Sequence, residues 1–262
     1  MVTVGDIVKS MERIAPPELK LGKDPIGLHI GDEMQVVTKV MVTLDVLETV
    51  VDEAIAKGVN MIIAHHPLLY VPIKNIDTST SRGRLIAKLL KHDIAVFAAH
   101  TNLDVAEGGV NDMLAQSLEL QSITYLEKTT ERYQVDYGIG RIGELAEVTT
   151  VSALSEQVKK LWDLPGVRFI GPADREIKTV AILGGDGNNY IRSAALSKAD
   201  VLITGDIYYH LGHDAMELDF PVIDAGHTIE KIMINGLITL LQEQHSISFI
   251  ASQVDTNPFN YR

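Results

Sequence analysis

The chain contains no cysteine. That absence removes disulfides, thiolate metal ligands and a cysteine nucleophile together, so any metal chemistry must rest on histidine and carboxylate. No apolar run approaches the ~18 residues of a membrane-spanning helix. The first ten residues lack the basic segment and following apolar run of a secretory signal. The expected compartment is therefore the cytoplasm, with no membrane contact. No lysine- or arginine-rich run offsets a formal net charge of −12, so nucleic acid is repelled at long range and is disfavoured as a partner. No low-complexity tract is present. What remains is a chain of 262 residues, 46% apolar, whose alternating strand and helix signals mark an α/β protein with one large core or two modest ones.

Three clusters of ligand-type residues lie at the ends of apolar runs: His65-His66-Pro67, His100-Thr-Asn-Leu-Asp104 and His227-Thr-Ile-Glu230. The runs Val59–Ala64 and Ile94–Ala99 are too short for helices and read as buried strands, and Pro221–Gly226 reads as a strand leading into His227. In open α/β sheets, ligands gather beyond the carboxyl ends of strands, where loops converge.

The halves of the chain resemble each other. Lys39–Asp45 has a partner in Lys178–Leu183, Lys57–His66 in Lys198–Asp206, and Lys88–Asp104 in His213–Glu230. Two related α/β lobes follow as the expectation, with ligands from both meeting at their interface; the competing explanation is ordinary βαβ regularity. The division is expected near Leu126, giving lobes 1–126 and 127–262.

Local signals fill in the frame. A helix is expected from Val4 to Ile14, capped by Thr3 and ended by Pro16-Pro17. Asp45 followed by Glu48 has the form of an N-cap with a carboxylate three residues on, and Gly58 sits where a C-cap glycine would. A later helix should bury Leu85, Ile86, Leu89 and Leu90. The stretch from 121 to 177 shows mixed strand signals and a helix near Ser152–Trp162. A helix from about Ile229 to Leu241 and a strand from Ile247 to Ala251 close the chain.

Each cluster has a plainer explanation. Neighbouring strand residues face opposite ways, so His65 and His66 can share a site only if the backbone leaves the strand there; otherwise one of them packs. His100 and Asp104 are expected in a turn, with Asp104 either a ligand or a cap for the helix near Val110. His100 itself is expected to orient a ligand or act in acid–base chemistry. His227 and Glu230, three apart at a helix start, share a face, or else Glu230 merely meets the helix dipole. Gly184-Gly-Asp-Gly187 lacks the third glycine of a dinucleotide fingerprint and reads as a tight turn lining a cleft. Thr204-Gly-Asp206 with Tyr208, Tyr209 and His210 reads as substrate contacts or interface packing. His29, His92, His213 and His245 read as surface or satisfied-core residues.

Taken together, Pro25–Gly31, Ala64–Pro67, Ala99–Asp112, Leu183–Gly187, Thr204–Asp206 and Gly226–Lys231 resemble the Nif-three-like family, also labelled GTP cyclohydrolase I type-two homologue. The resemblance covers nearly the whole chain, which is too short between its halves for the large middle domain some relatives carry. It implies two α/β lobes with mixed sheets and a dinuclear metal centre in the cleft between them. It also implies dimers assembled into a ring-shaped homohexamer, a trimer of dimers. By motif position the metal ligands would be His65, His66, Asp104, His227 and Glu230, with Glu230 or Asp104 as the bridge. Nitrogen and oxygen donors suit two divalent ions of zinc, manganese, iron, cobalt or nickel, and five ligands for two ions leave coordination positions open.

The first functional expectation is a dinuclear metal-dependent hydrolase. Ions ~3.5–4 Å apart would direct a metal-bound hydroxide onto a nucleotide-like or phosphoester small molecule, with GTP cyclohydrolase-type activity as one form. His100 would move the proton, as an imidazole with an ordinary pKa of ~6.5 can. The alternative is a metal-containing ring-shaped binding or regulatory protein without catalysis of its own.

Overall fold

The first helix forms where the sequence provides a reciprocal cap. The Thr3 hydroxyl accepts from the Asp6 N–H at 3.3 Å, and the Asp6 carboxylate accepts from the Thr3 N–H at 2.9 Å, satisfying two donors that a helix start leaves open. In a computed structural model, which describes residues 1–132 and 135–262, the first unit begins with α1 (Val4–Ile14), β1 (Gly27–Ile30), β2 (Lys39–Thr43), α2 (Glu48–Ala56), β3 (Met61–Ala64), α3 (Ser81–Lys91), β4 (Ala95–Ala98) and α4 (Thr101–Val105). Then come α5 (Val110–Ser117), β5 (Gln121–Arg132), β6 (Val135–Thr150), α6 (Val151–Leu161), β7 (Arg168–Ile170), β8 (Glu176–Asp186), α7 (Ile191–Leu196), β9 (Val201–Gly205), α8 (Tyr209–Glu217) and β10 (Val222–Asp224). A 3-10 turn over His227–Lys231, α9 (Ile232–Gln242) and β11 (Ser248–Ala251) complete the order.

These elements form two units, Met1–Ala106 with Met233–Pro258, and Glu107–Ile232 with Phe259–Arg262. The division differs from the expected one near Leu126, for a physical reason. Residue 126 lies inside β5, which pairs antiparallel with β6, and α5 packs on β6 and β8. At the other end the chain returns to the first unit, where β11 adds in parallel beside β2.

The first unit holds a mixed sheet in the order β1-β4-β3-β2-β11, with β2, β3 and β4 parallel and β1 antiparallel to β4. All four residues of β3 and of β4 are buried, as strands covered on both faces require. Helices α2 and α3 supply Val50, Val51, Ala54, Ile86 and Leu89 to a core that includes Met41, Ile62 and Val96. The second unit holds the order β5-β6-β8-β9-β10-β7, with β8, β9 and β10 parallel and β7 antiparallel to β10.

The same connectivity therefore occurs twice: helix, two strands, then two helix–strand steps, with the first strand antiparallel to the last. The spatial orders β1-β4-β3-β2 and β7-β10-β9-β8 match, and the paired segments seen in the sequence fall on equivalent elements. What differs is the added edge, β11 in one unit and the antiparallel pair β5 and β6 in the other.

Three local expectations change. Helix α2 starts at Glu48 with Leu47 at its N-cap and no side-chain cap, so Asp45 serves elsewhere. Leu90 is 53% exposed while Leu85, Ile86 and Leu89 are buried. His100 to Asp104 is not an open turn: His100 is the N-cap of α4, which contains Asp104. No helix among the described residues is long and apolar enough to cross a membrane.

Candidate metal centre

In the first unit, the parallel strands β2, β3 and β4 all end toward one set of side chains. The backbone leaves strand geometry at His65-His66, since the two successive N–H groups both donate to the end of β2, to the carbonyls of Thr43 at 3.2 Å and Leu44 at 2.9 Å. Successive N–H groups of a regular strand point to opposite sides. Both imidazoles consequently lie together, with ring centroids 5.1 Å apart. His100, beyond β4, completes the group: one ligand nitrogen from each of His65, His66 and His100 lies within 4.8 Å of the others.

The other ring nitrogen of each is already engaged. His65 Nδ1 lies 2.8 Å from the Ala99 carbonyl oxygen, His66 Nδ1 lies 2.6 Å from Asp45 Oδ1, and His100 Nδ1 lies 2.9 Å from Asp24 Oδ1. A carbonyl or carboxylate oxygen can only accept, so each Nδ1 carries a proton and Nε2 is the nitrogen left to meet a ligand. Asp24 also accepts from the Thr101 N–H at 3.0 Å and the Thr101 hydroxyl at 2.5 Å. Burial by itself would raise the Asp24 carboxyl, but the bonds from His100 and Thr101 outweigh it and hold the group below its ordinary value. Asp24 is thus an anion that fixes the His100 ring.

The second unit repeats the arrangement. Gly226, at φ +80, turns the chain out of β10 into the 3-10 turn carrying His227 and the buried Glu230. His227 Nδ1 lies 2.6 Å from Asp206 Oδ2, and its Nε2 lies 3.2 Å from Glu230 Oε2. Asp206 follows β9 with φ +58, an uncommon conformation outside glycine that recurs at functional sites. The expected glycine turn is largely strand: β8 runs to Asp186, and Gly185 lies against Glu230, where an added Cβ would fall 2.5 Å from Oε1. Asp186 accepts from the Tyr208 hydroxyl at 3.0 Å, and that bond raises the Tyr208 hydroxyl above its ordinary pKa.

The donor sets fit divalent cations. His65 is fully buried, and its Nε2 lone pair faces Asp104 Oδ1 at 3.5 Å. Two acceptors facing each other in a buried setting repel unless a cation or a proton lies between them. His227 and Glu230 meet in the same sense. Imidazole held at Nδ1 by a carboxylate or carbonyl is the usual environment of a metal-ligating histidine.

A family model describing Duf34/NIF3 (NGG1p interacting factor 3) matches residues 2–258. The chain belongs to the NIF3 family. Among curated NIF3 relatives, a Lactococcus lactis protein named GTP cyclohydrolase 1 type 2 homolog is 38% identical, with 98% of each chain covered. A Listeria innocua protein of the same name is 37% identical with 96% of each covered. That second alignment runs over 360 residues against the 262 of this chain, so it passes through a stretch the Listeria protein has and this one lacks. A crystal structure of a Bacillus cereus protein related to NIF3 superimposes with a TM-score of 0.94 at 33% identity, covering 99% of each chain.

In this NIF3 chain the clusters His65, His66, His100 and Asp104 come together in one unit, and His227 with Glu230 in the other. The carboxylates that hold them depart from expectation: the sequence suggests Asp45 as a helix cap and the Asp206 segment as substrate contacts or interface packing, and no local signal marks Asp24. Asp45 and Asp206 do carry a signal, since both follow strand ends as the histidines do. Asp24 sits in an irregular segment with no periodicity to flag it. His29, expected as a surface or satisfied-core residue, is half-buried, bonding the Pro25 carbonyl through Nε2 at 2.8 Å and accepting from the Leu69 N–H at 3.2 Å.

Proposed function

We propose that this NIF3-family protein is a metal-dependent hydrolase, with two divalent ions held by His65, His66, Asp104, His227 and Glu230. The observation that supports this most is the shared orientation of the histidines: Nδ1 is engaged by an oxygen in His65, His66 and His227, and Nε2 of His65 and of His227 faces a carboxylate. Bound there, the ions would supply Lewis acidity and acidify a coordinated water. His100 is the proton-transfer group. Asp24 keeps its ring in the Nδ1–H form and stabilises the imidazolium that arises when Nε2 takes a proton, as a carboxylate does for a catalytic histidine. The exposed Tyr70 ring, 6.5 Å from that of His100, offers a face for a planar base. A nucleotide-like or phosphoester substrate is proposed, with GTP first because relatives bear the name GTP cyclohydrolase 1 type 2 homolog.

Metal content of protein purified without added metal or affinity histidines tests the centre. Wild type should carry about two equivalents, and His66→Ala and Glu230→Ala should both lose metal; unchanged content in both variants would sink the assignment. His100→Ala should keep its metal and lose turnover of GTP or a phosphoester by about 10²- to 10⁴-fold. Full metal occupancy without turnover on either class would favour a binding or regulatory protein. We also propose a homohexamer on the family resemblance, for which light scattering should give six times the 28.7 kDa of the chain.

A further inference from the structure

Beyond β11 the chain continues as an extended segment that is tied down residue by residue. The Ser252 N–H donates to the Val42 carbonyl at 3.0 Å. The Ser252 hydroxyl donates to Glu53 Oε2 at 2.6 Å, and the Gln253 N–H to Glu53 Oε1 at 3.0 Å. Val254 packs on the hydrophobic core of the first unit. Burial by itself would raise the Glu53 carboxyl, but bonds from Lys57, Ser252 and Gln253 outweigh it and keep the group below its ordinary value, so Glu53 serves as an anionic clamp. The segment then delivers Thr256 to the carboxyl end of β2, where its hydroxyl donates to Asp45 Oδ2 at 2.5 Å. The other oxygen of the same carboxylate accepts from His66 Nδ1 at 2.6 Å.

We propose that Thr256 is a positioning residue for metal binding: its hydroxyl fixes the Asp45 carboxylate, and through it the direction in which His66 presents Nε2. This rests on the reading of His66 as a metal ligand. The physical reason lies in the softness of the aspartate side chain. The carboxylate torsion of Asp is broad rather than confined to narrow wells, so a carboxylate held at one oxygen swings and carries its partner ring with it. A ligand must be held within roughly 10–20° of its productive direction. A donor on the second oxygen removes the swing. Asp45 and Thr256 are 211 residues apart, so the C-terminal segment becomes part of the metal site.

The test uses the full chain as wild type, Thr256→Val, Thr256→Ser, Asp45→Asn and His66→Ala. The readouts are zinc affinity by chelator competition, the visible spectrum of the cobalt-substituted protein, and thermal unfolding of the metal-free protein. Loss of an outer-shell partner typically weakens metal affinity by about 10- to 100-fold. Asp45→Asn should fall in that range, Thr256→Val near its lower end with an altered cobalt spectrum, and Thr256→Ser should return both to wild type. If Thr256→Val lowers only the metal-free Tm and leaves affinity and spectrum unchanged, the residue merely anchors the tail and the proposal is overturned. If His66→Ala leaves zinc affinity untouched, the ligand assignment itself fails, an outcome distinct from the first.

Discussion

Gly185 has no side chain because Glu230 occupies the space one would need. Its φ of +67 and the 2.5 Å approach of a Cβ to Glu230 Oε1 act together. Since the carboxylate is the free end of a side chain, Gly185→Ala should displace Glu230 rather than unfold the chain. We expect a loss of about 1–2 kcal/mol from the left-handed backbone together with reduced metal content, read by urea unfolding and elemental analysis; full metal content would refute the displacement. His29 carries a pH dependence. Burial is the main cause that lowers its pKa from 6.5, outweighing the Pro25 carbonyl and Asp24. The unfolded chain therefore takes up the proton first. Stability from this site is full above about 6.5 and declines as pH falls below that value toward the lowered folded one. His29→Gln should flatten that part of the stability profile.

At the scale of elements, local signals worked where caps and periodicity dominate. α1 carries the Thr3 cap and the bounds that its sequence implies, and Gly58 takes the positive φ of a helix terminator. They failed where a side chain had a distant partner, as Asp45 does in leaving α2 uncapped. Arg141 on β6 is a further case that nothing local signals. It is 1% exposed, pairs with Asp112 of α5 through Nε and through Nη2 at 2.9 Å, and donates from Nη1 to the carbonyls of Gly138 and Gly140. Removing one partner of a buried pair leaves an uncompensated charge at a cost of about 3–5 kcal/mol. Asp112→Ala should fall near the lower end because its carboxylate is partly exposed, whereas Arg141→Met in the same background should recover much of the loss. Urea midpoints of the single and double variants decide it; additive losses would mean that the pair is not coupled.

For the molecule as a whole, a ligand that binds only the folded chain stabilises it by mass action. Metal at 100 times its Kd contributes about 2.7 kcal/mol, which for a chain of this size raises Tm by roughly 5–10 °C. The rise should appear with added zinc or manganese, reverse with a chelator and vanish in His66→Ala; a Tm indifferent to metal would argue against the centre. A net charge of −12 favours the approach of cations and opposes that of polyanions. The duplicated connectivity accounts for the placement of the candidate ligands. In each unit the parallel strands end on the same side, so each supplies its own histidine and carboxylate.

Most helices, the short buried strands and the ligand-type residues at their carboxyl ends are legible in the chain, because strand and helix periods and terminal residues are local properties, whereas the turns expected at His100–Asp104 and Gly184–Gly187 form a helix and a strand instead. That His65 and His66 face one way depends on where the backbone leaves β3, which is settled by long-range pairing with β2. The tertiary structure also decides which ring nitrogen each histidine presents. Those choices are made by Asp45, Asp24 and Asp206, which lie 21, 76 and 21 residues from His66, His100 and His227, and a hydrogen bond across such distances leaves no periodic trace in the chain.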